Sequence, residues 1–257
     1  MTSAARRERI LELINARGYM AIDDMLAHFR VTPQTLRNDL NRLADDGRVV
    51  RHHGGASMPS SVANSSYALR HTEFAREKAL IAQRLAQWLP DRSSLFLSLG
   101  TTMLAVAQGL ESRTGLKVMT NNLEAAQALA VQPGIEVIAL GGRVESRNLG
   151  TSGTTTLAAV QQYRADFCIF GVGGIDPDGS LLDYHEGEVD VVRTMLQHAR
   201  RSVLVVDHSK FGRTASVRIG SITEVSAVAT DQPPPPAIGK MLRKGKITVV
   251  TAPRSPR

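Results

Sequence analysis

The chain has 257 residues, 42% of them hydrophobic, and a formal net charge of +7, a composition that suits a globular protein with a large α/β domain and a smaller one attached. Its single cysteine, Cys168, lies in the apolar run Phe167-Cys168-Ile169-Phe170, which excludes a disulfide framework or a cysteine-based zinc site and suits a reducing compartment. The first residues carry charge but no apolar signal core, and no stretch of about 18 uninterrupted apolar residues occurs, so a cytoplasmic location and no membrane partner are expected.

The excess charge is unevenly placed. From Ile238 onward Lys240, Arg243, Lys244, Lys246, Arg254 and Arg257 meet no acidic residue, whereas residues 1–60 hold nine Arg against seven Asp or Glu. Charge alone therefore does not single out a nucleic-acid-binding part. The basic tail reads as solvated surface.

Ile10, Leu11, Leu13 and Ile14 predict a first helix that stops near Gly18, and Ile22, Met25, Leu26 and Phe29 predict a second from about Ile22 to His28. A third starts at Thr32-Pro33: the hydroxyl caps free backbone N–H groups, and proline suits the first helical position, where no N–H is needed. It should reach about Ala44, with Leu36, Leu40 and Leu43 as a buried stripe and Gln34, Arg37, Asn38 and Asn41 as a polar one. Arg48–Ala56, basic and rich in glycine at its end, predicts a short strand closing in a glycine turn, as a wing would.

Three helices and a basic ribbon in this order put the third helix in the major groove of DNA. Arg37 offers a two-pronged donor to guanine, and Gln34 and Asn38 the donor–acceptor pair that adenine requires, with Asn41 completing the stripe. Thr32 and Thr35 are placed to bond phosphates, and Arg51, His52 and His53 to contact backbone or minor groove from the wing. Residues 1–57 thus read as a winged helix-turn-helix, and 58–72, rich in Ser and Asn, as a linker.

Residues 73–257 read as a sensing and oligomerisation domain with a basic tail. After a helix carrying Leu80, Ile81, Leu85, Trp88 and Leu89, strands are expected at Leu95–Leu99, Lys117–Thr120, Glu136–Leu140, Asp166–Val172, Ser202–Asp207, Ala227–Thr230 and Lys246–Val250. Their alternation with helices predicts a mainly parallel sheet covered on both faces. Four consecutive prolines, Pro233–Pro236, cannot continue a sheet or helix interior and read as a surface connection rather than as a ligand for a partner.

Leu99-Gly100-Thr101-Thr102 reads as strand end, tight turn and helix start, where free N–H groups, the positive helix end and two hydroxyls attract a phosphate. Thr120-Asn121-Asn122, Gly141-Gly142 and Gly173-Gly174 end further strands, and in an open parallel sheet these carboxyl ends share the ligand-binding edge. Lys210 can neutralise a phosphate, while Asp176, Asp183, Glu188 and Asp207 can accept bonds from polyol hydroxyls. Gly171-x-Gly173-Gly174 breaks the dinucleotide pattern at Asp176 and no Walker A lysine motif occurs, so no nucleotide cofactor is expected. No metal-ligand cluster is expected either.

The run VTPQTLRNDLNRLADDGRVVRHHGGA, with Arg7 to Ala56 around it, resembles the DNA-binding domain of the DeoR family of bacterial regulators. That family commonly carries Arg where this chain has Asn38 and a Ser or Thr cap where it has Ala21, which implies a different operator base and a slightly weaker second helix. LGTT, TNNLEAA, LGG, GVGGID, DGSLL and VVDHSKFGR resemble the family's effector domain, similar in fold to ribose 5-phosphate isomerase. RHHGGA, DGSLL, VVDHSKFGR and TDQPPPP look most like members that govern glycerol metabolism, although the stretch around Asp183–Glu188 departs from their pattern. The resemblance implies a repressor, without catalytic residues, that binds operator DNA as a dimer or higher homo-oligomer and is released by sn-glycerol 3-phosphate. The alternatives are the same architecture with another sugar phosphate, and a sugar-phosphate isomerase bearing a DNA-binding appendage.

Overall fold

The computed structural model describes residues 2–17, 19–52, 54–59, 64 and 67–252. His53, the side chain of His52, Gly18, Arg254 and Arg257 lie outside the described residues. The head comprises α1 (Ser3–Arg17), β1 (Tyr19–Ala21), α2 (Ile22–Phe29), α3 (Pro33–Asp45), β2 (Val50–His52) and β3 (Gly55–Ser57). Its strands form an antiparallel sheet in the order β1-β3-β2. β1 was not foreseen: three residues carry no periodicity, and they become a strand only by pairing with the wing.

Ile10 and Ile14 of α1, Met25 of α2 and Leu36, Leu40 and Leu43 of α3 are wholly buried against one another. Each such side chain contributes about 1.5–3 kcal/mol through its burial. Thr32 accepts a hydrogen bond from the Thr35 N–H at 3.2 Å and so caps α3. Ala21 leaves α2 without a side-chain cap. On the otherwise apolar, buried side of α3, Asp39 is paired with Arg6 at 2.5 Å and Arg7 at 3.6 Å, which ties α1 to the third helix.

The remainder starts with α4 (Tyr67–Thr72) and α5 (Ala75–Trp88), so the last part of the expected linker is helical. Next come β4 (Ser94–Leu97), α6 (Thr101–Gly109), β5 (Leu116–Thr120), α7 (Leu123–Ala130) and β6 (Ile135–Ala139). A hairpin of β7 (Arg143–Glu145) and β8 (Gly150–Ser152) precedes α8 (Thr154–Gln161) and β9 (Ala165–Phe170). β10 (Gly174–Ile175), β11 (Ser180–Asp183), α9 (Glu186–Gln197), β12 (Ala199–Val205), β13 (Val217–Ser221), β14 (Ala227–Thr230), α10 (Pro236–Lys244) and β15 (Thr248–Thr251) complete the chain.

Seven strands pair in parallel in the order β15-β14-β12-β9-β4-β5-β6. All the expected strands lie in this sheet; β10, β11 and β13 form a separate antiparallel sheet. Alternation along the strands fills two layers: Leu95, Leu97 and Ile169 pack under α5, α6 and α7, while Phe96, Cys168 and Phe170 pack against α8, α9 and α10. α10 buries Ile238 and Leu242 and leaves Lys240, Arg243 and Lys244 exposed. Among the described residues no helix is long and apolar enough to cross a membrane.

Candidate functional site

α3 presents Gln34, Arg37, Asn38 and Asn41 on its exposed side, opposite the buried leucines. Gln34 donates to Asn38 at 3.0 Å, and Arg51 of the wing donates to Asn41, so reading helix and wing form one polar surface. The Thr32 and Thr35 hydroxyls lie 2.8 Å apart at the helix start, beside N–H groups suited to a phosphate. His52 ends β2, where it pairs in register with Gly55.

The second site follows from strand order. β4, β5 and β6 run to one side of the sheet and β9, β12, β14 and β15 to the other, so the order reverses between β4 and β9. At such a point the loops leaving the two central strands part, and a crevice opens at their carboxyl ends. A cavity lies there, walled by Gly100, Thr101 and Thr102 after β4, by Gly171 and Gly173 after β9, and by Asp207 and Lys210 after β12. Gly100, with φ of 119°, turns the chain into α6, whose first N–H groups face this space.

Four cations, Arg70, Lys78, Lys210 and Arg213, converge with the carboxylates Glu73, Asp183, Glu188 and Asp207. Lys78 is fully engaged: its three N–H groups donate to the Arg70 carbonyl, to the Glu73 carbonyl at 2.7 Å and to Thr101 Oγ1 at 3.1 Å. It locks the α4–α5 turn onto the start of α6 and adds positive charge there. Burial pushes the Lys210 ammonium down to a pKa of about 8, against the pull of Asp207. Asp207 accepts from the Ser209 N–H at 3.0 Å and from its hydroxyl, which shapes the loop that carries Lys210.

The same cavity holds acceptors. Glu188 is held by Arg147 at 3.1 Å and by Asn148 at 2.8 Å. Burial, aided by the charge of Glu188, raises Asp183 to a pKa of about 6. Cations, a helix start and carboxylate acceptors lining one cavity can hold a small molecule that carries both a phosphate and hydroxyls.

Several expected effector residues do other work. Thr120 donates to the Leu97 carbonyl at 2.7 Å, Asn121 to the Thr151 carbonyl at 2.9 Å, and Asn122 caps α7 by accepting from Ala125 at 3.1 Å. They are buried under the β7–β8 hairpin, which seals the ends of β5 and β6. Gly141 and Gly142 lead into that hairpin, and the Gly141 carbonyl accepts from Thr156 at 2.8 Å. Gly174 is pressed against the Arg213 carbonyl within its strand, and Asp176 closes the β10–β11 turn, its carbonyl accepting from Gly179 at 2.9 Å. None of these lines the cavity.

Conversely, Asn64, Arg70, Glu73, Phe74, Lys78, Asn148 and Arg213 line it without having been foreseen. One signal was present: Lys78 stands three residues before Ile81 and seven before Leu85, a cation on the buried stripe of a helix. The others come from segments that carry no pattern of their own.

The DeoR-like helix-turn-helix domain family matches residues 6–62, and the DeoR C terminal sensor domain family matches residues 73–232. The chain is 43% identical to the glycerol-3-phosphate regulon repressor of Escherichia coli (strain K12), over 94% of this chain and 96% of that one. It is 38% identical to the HTH-type transcriptional repressor CsqR of the same organism, over 97% of this chain and 96% of that one. Ribose 5-phosphate isomerase A of Methanocaldococcus jannaschii aligns at 18% identity with a TM-score of 0.41, covering 54% of this chain and 55% of that one. With a reading head joined to a sensor and repressors as its relatives, the isomerase alternative falls away. The chain belongs to the DeoR family of transcriptional regulators, a DNA-binding repressor with a C-terminal sensor domain.

Proposed function

We propose that this repressor controls genes of glycerol and glycerol 3-phosphate metabolism and leaves its operator when sn-glycerol 3-phosphate occupies the sensor cavity. The observation that carries the reading is the mixed lining of one cavity: Lys210, Arg213 and the start of α6 stand together with Asp183 and Glu188. Phosphate takes the cations and the helix start, where free N–H groups and charge add. The two free hydroxyls of glycerol 3-phosphate reach the carboxylates, and a ligand without phosphate would leave the cations unmatched. The relative of higher identity among the two repressors compared, named for the glycerol-3-phosphate regulon, supports the same choice.

Release requires that the ligand bind the DNA-competent arrangement less well than another. The repressor acts as a symmetric dimer or larger assembly in the cytoplasm, since paired heads reading paired half-sites double the contacts. An operator mobility shift titrated with sn-glycerol 3-phosphate, glycerol and several sugar phosphates tests the assignment. The expected result is release by glycerol 3-phosphate and not by glycerol. Release by a different phosphate alone would instead support the second reading, a sugar phosphate other than glycerol 3-phosphate.

A further inference from the structure

Arg213 takes part in two places at once. Its guanidinium lines the cavity, donating through Nε to the Tyr184 hydroxyl at 2.9 Å and through Nη2 to Asn64 Oδ1 at 3.0 Å. Asn64 belongs to the segment that joins head to sensor. Gly212, Arg213 and Thr214 also line a second cleft, which residues of the head such as Glu8, Leu11 and Arg48 share.

A tight contact closes one end of that cleft. Gly47, in the turn after α3 with φ of +69°, packs so closely on the loop after β12 that a Cβ there would lie 2.5 Å from the Ser209 carbonyl oxygen. Ser209 is itself held by Asp207 and precedes Lys210, both of which line the cavity. The segment 207–214 therefore lines the cavity through Asp207, Lys210 and Arg213 and meets the head through the Ser209 carbonyl and the cleft at Gly212–Thr214.

We propose that this loop is the element through which the cavity governs the head, with Arg213 and the Gly47–Ser209 contact as its two working parts. The inference rests on the phosphate reading of the cavity. A phosphate competes for the guanidinium that Asn64 now holds, and an Arg–phosphate pair, with both partners ionised and two parallel N–H···O bonds within reach, outweighs a single bond to a neutral amide oxygen. Drawing Arg213 and Lys210 inward shifts Ser209 and Thr214 under the head. The seat of Gly47 tolerates no such shift, because backbone meets backbone there. Undocking of the head then follows from ligand binding.

Linkage makes the proposal testable at a distance: whatever factor the ligand exerts on docking, docking exerts on the ligand. Gly47→Asn keeps the turn, since Asn accepts positive φ, but its side chain cannot fit under the Ser209 carbonyl. In the full-length protein, calorimetry with sn-glycerol 3-phosphate should give a Kd lowered about fivefold or more, the lower bound of typical coupling. An unchanged or raised Kd would overturn the proposal, since Gly47 lies outside the cavity and has no other route to the ligand. Hydrogen exchange on the unsubstituted protein is the second measurement, and it stands alone if Gly47→Asn fails to melt cooperatively. Saturating ligand should speed exchange at residues 44–49 and change it at 209–214; unaltered exchange at 44–49 overturns the proposal equally. If glycerol 3-phosphate fails to bind but another sugar phosphate binds, the assigned effector falls and the same measurements with that phosphate decide the coupling. If no phosphate binds, both fall.

Discussion

The reading surface and the sensor cavity are built in opposite ways. The first is a single turn-by-turn stripe of one helix, Gln34 to Asn41, exposed to water and backed by Leu36, Leu40 and Leu43. The second is assembled from side chains between Asn64 and Arg213, brought together by strand order and partly removed from water. Exposed contacts act singly and are screened, whereas enclosed charges act on one another. Substitutions should therefore cost more in the cavity than on the helix, and the two sets should act on different measurements.

The largest effect is expected at Lys210. Replacing it by Met removes a charge from the phosphate site and leaves Asp207 less well balanced. Losing one member of an enclosed charge pair costs about 2–5 kcal/mol, so effector affinity should fall at least about 30-fold in calorimetry while operator affinity stays near that of the parent. A Lys210→Met protein that leaves DNA at the parent's effector concentration would place the phosphate elsewhere.

Arg37→Ala is the counterpart on the head. It should weaken operator binding by about 1–3 kcal/mol and flatten the preference at one base pair. Fluorescence anisotropy against a set of operator variants measures both, with effector affinity as the control. A uniform loss across all variants would reassign Arg37 from base to phosphate.

pH separates the two sites further. Lys210, with its pKa lowered to about 8 by burial, is charged below that value and neutral above it. Phosphate binds the charged form, so effector affinity falls as pH rises through 8, by up to about tenfold per unit, which is about 1.4 kcal/mol. Gln, Asn and Arg do not titrate in this range, so operator affinity at constant salt should not follow the same curve. A parallel decline of both would mean that another group sets the pH dependence.

The smallest effect belongs to Thr32. Thr32→Ala removes the cap of α3 and should lower the stability of the head by about 0.5–2 kcal/mol, read as a shift of the denaturant midpoint. Operator affinity should drop with it, because the hydroxyl also lies at the phosphate-facing start of the helix. Loss of affinity without loss of stability would separate the phosphate contact from the cap.

The sequence by itself determined the three head helices, the wing, the strands of the parallel sheet and the glycine turn that starts α6, because each rests on local periodicity, a cap or a glycine at a turn. Lys78, a charge out of place on the buried stripe of α5, was a signal the sequence carried and the reading missed. Only the tertiary structure decided which strand ends share the cavity. Thr120–Asn122 and Gly141–Gly142 end strands as convincingly as Leu99–Thr102 does, yet β5 and β6 lie beyond the reversal of strand order and are capped by a hairpin. Arg70, Asn148 and Arg213 reach the cavity from a short helix and two loops whose positions depend on the packing around them. Neighbours in a helix are set by chain spacing; neighbours in a cavity are set by the order in which distant strands pair.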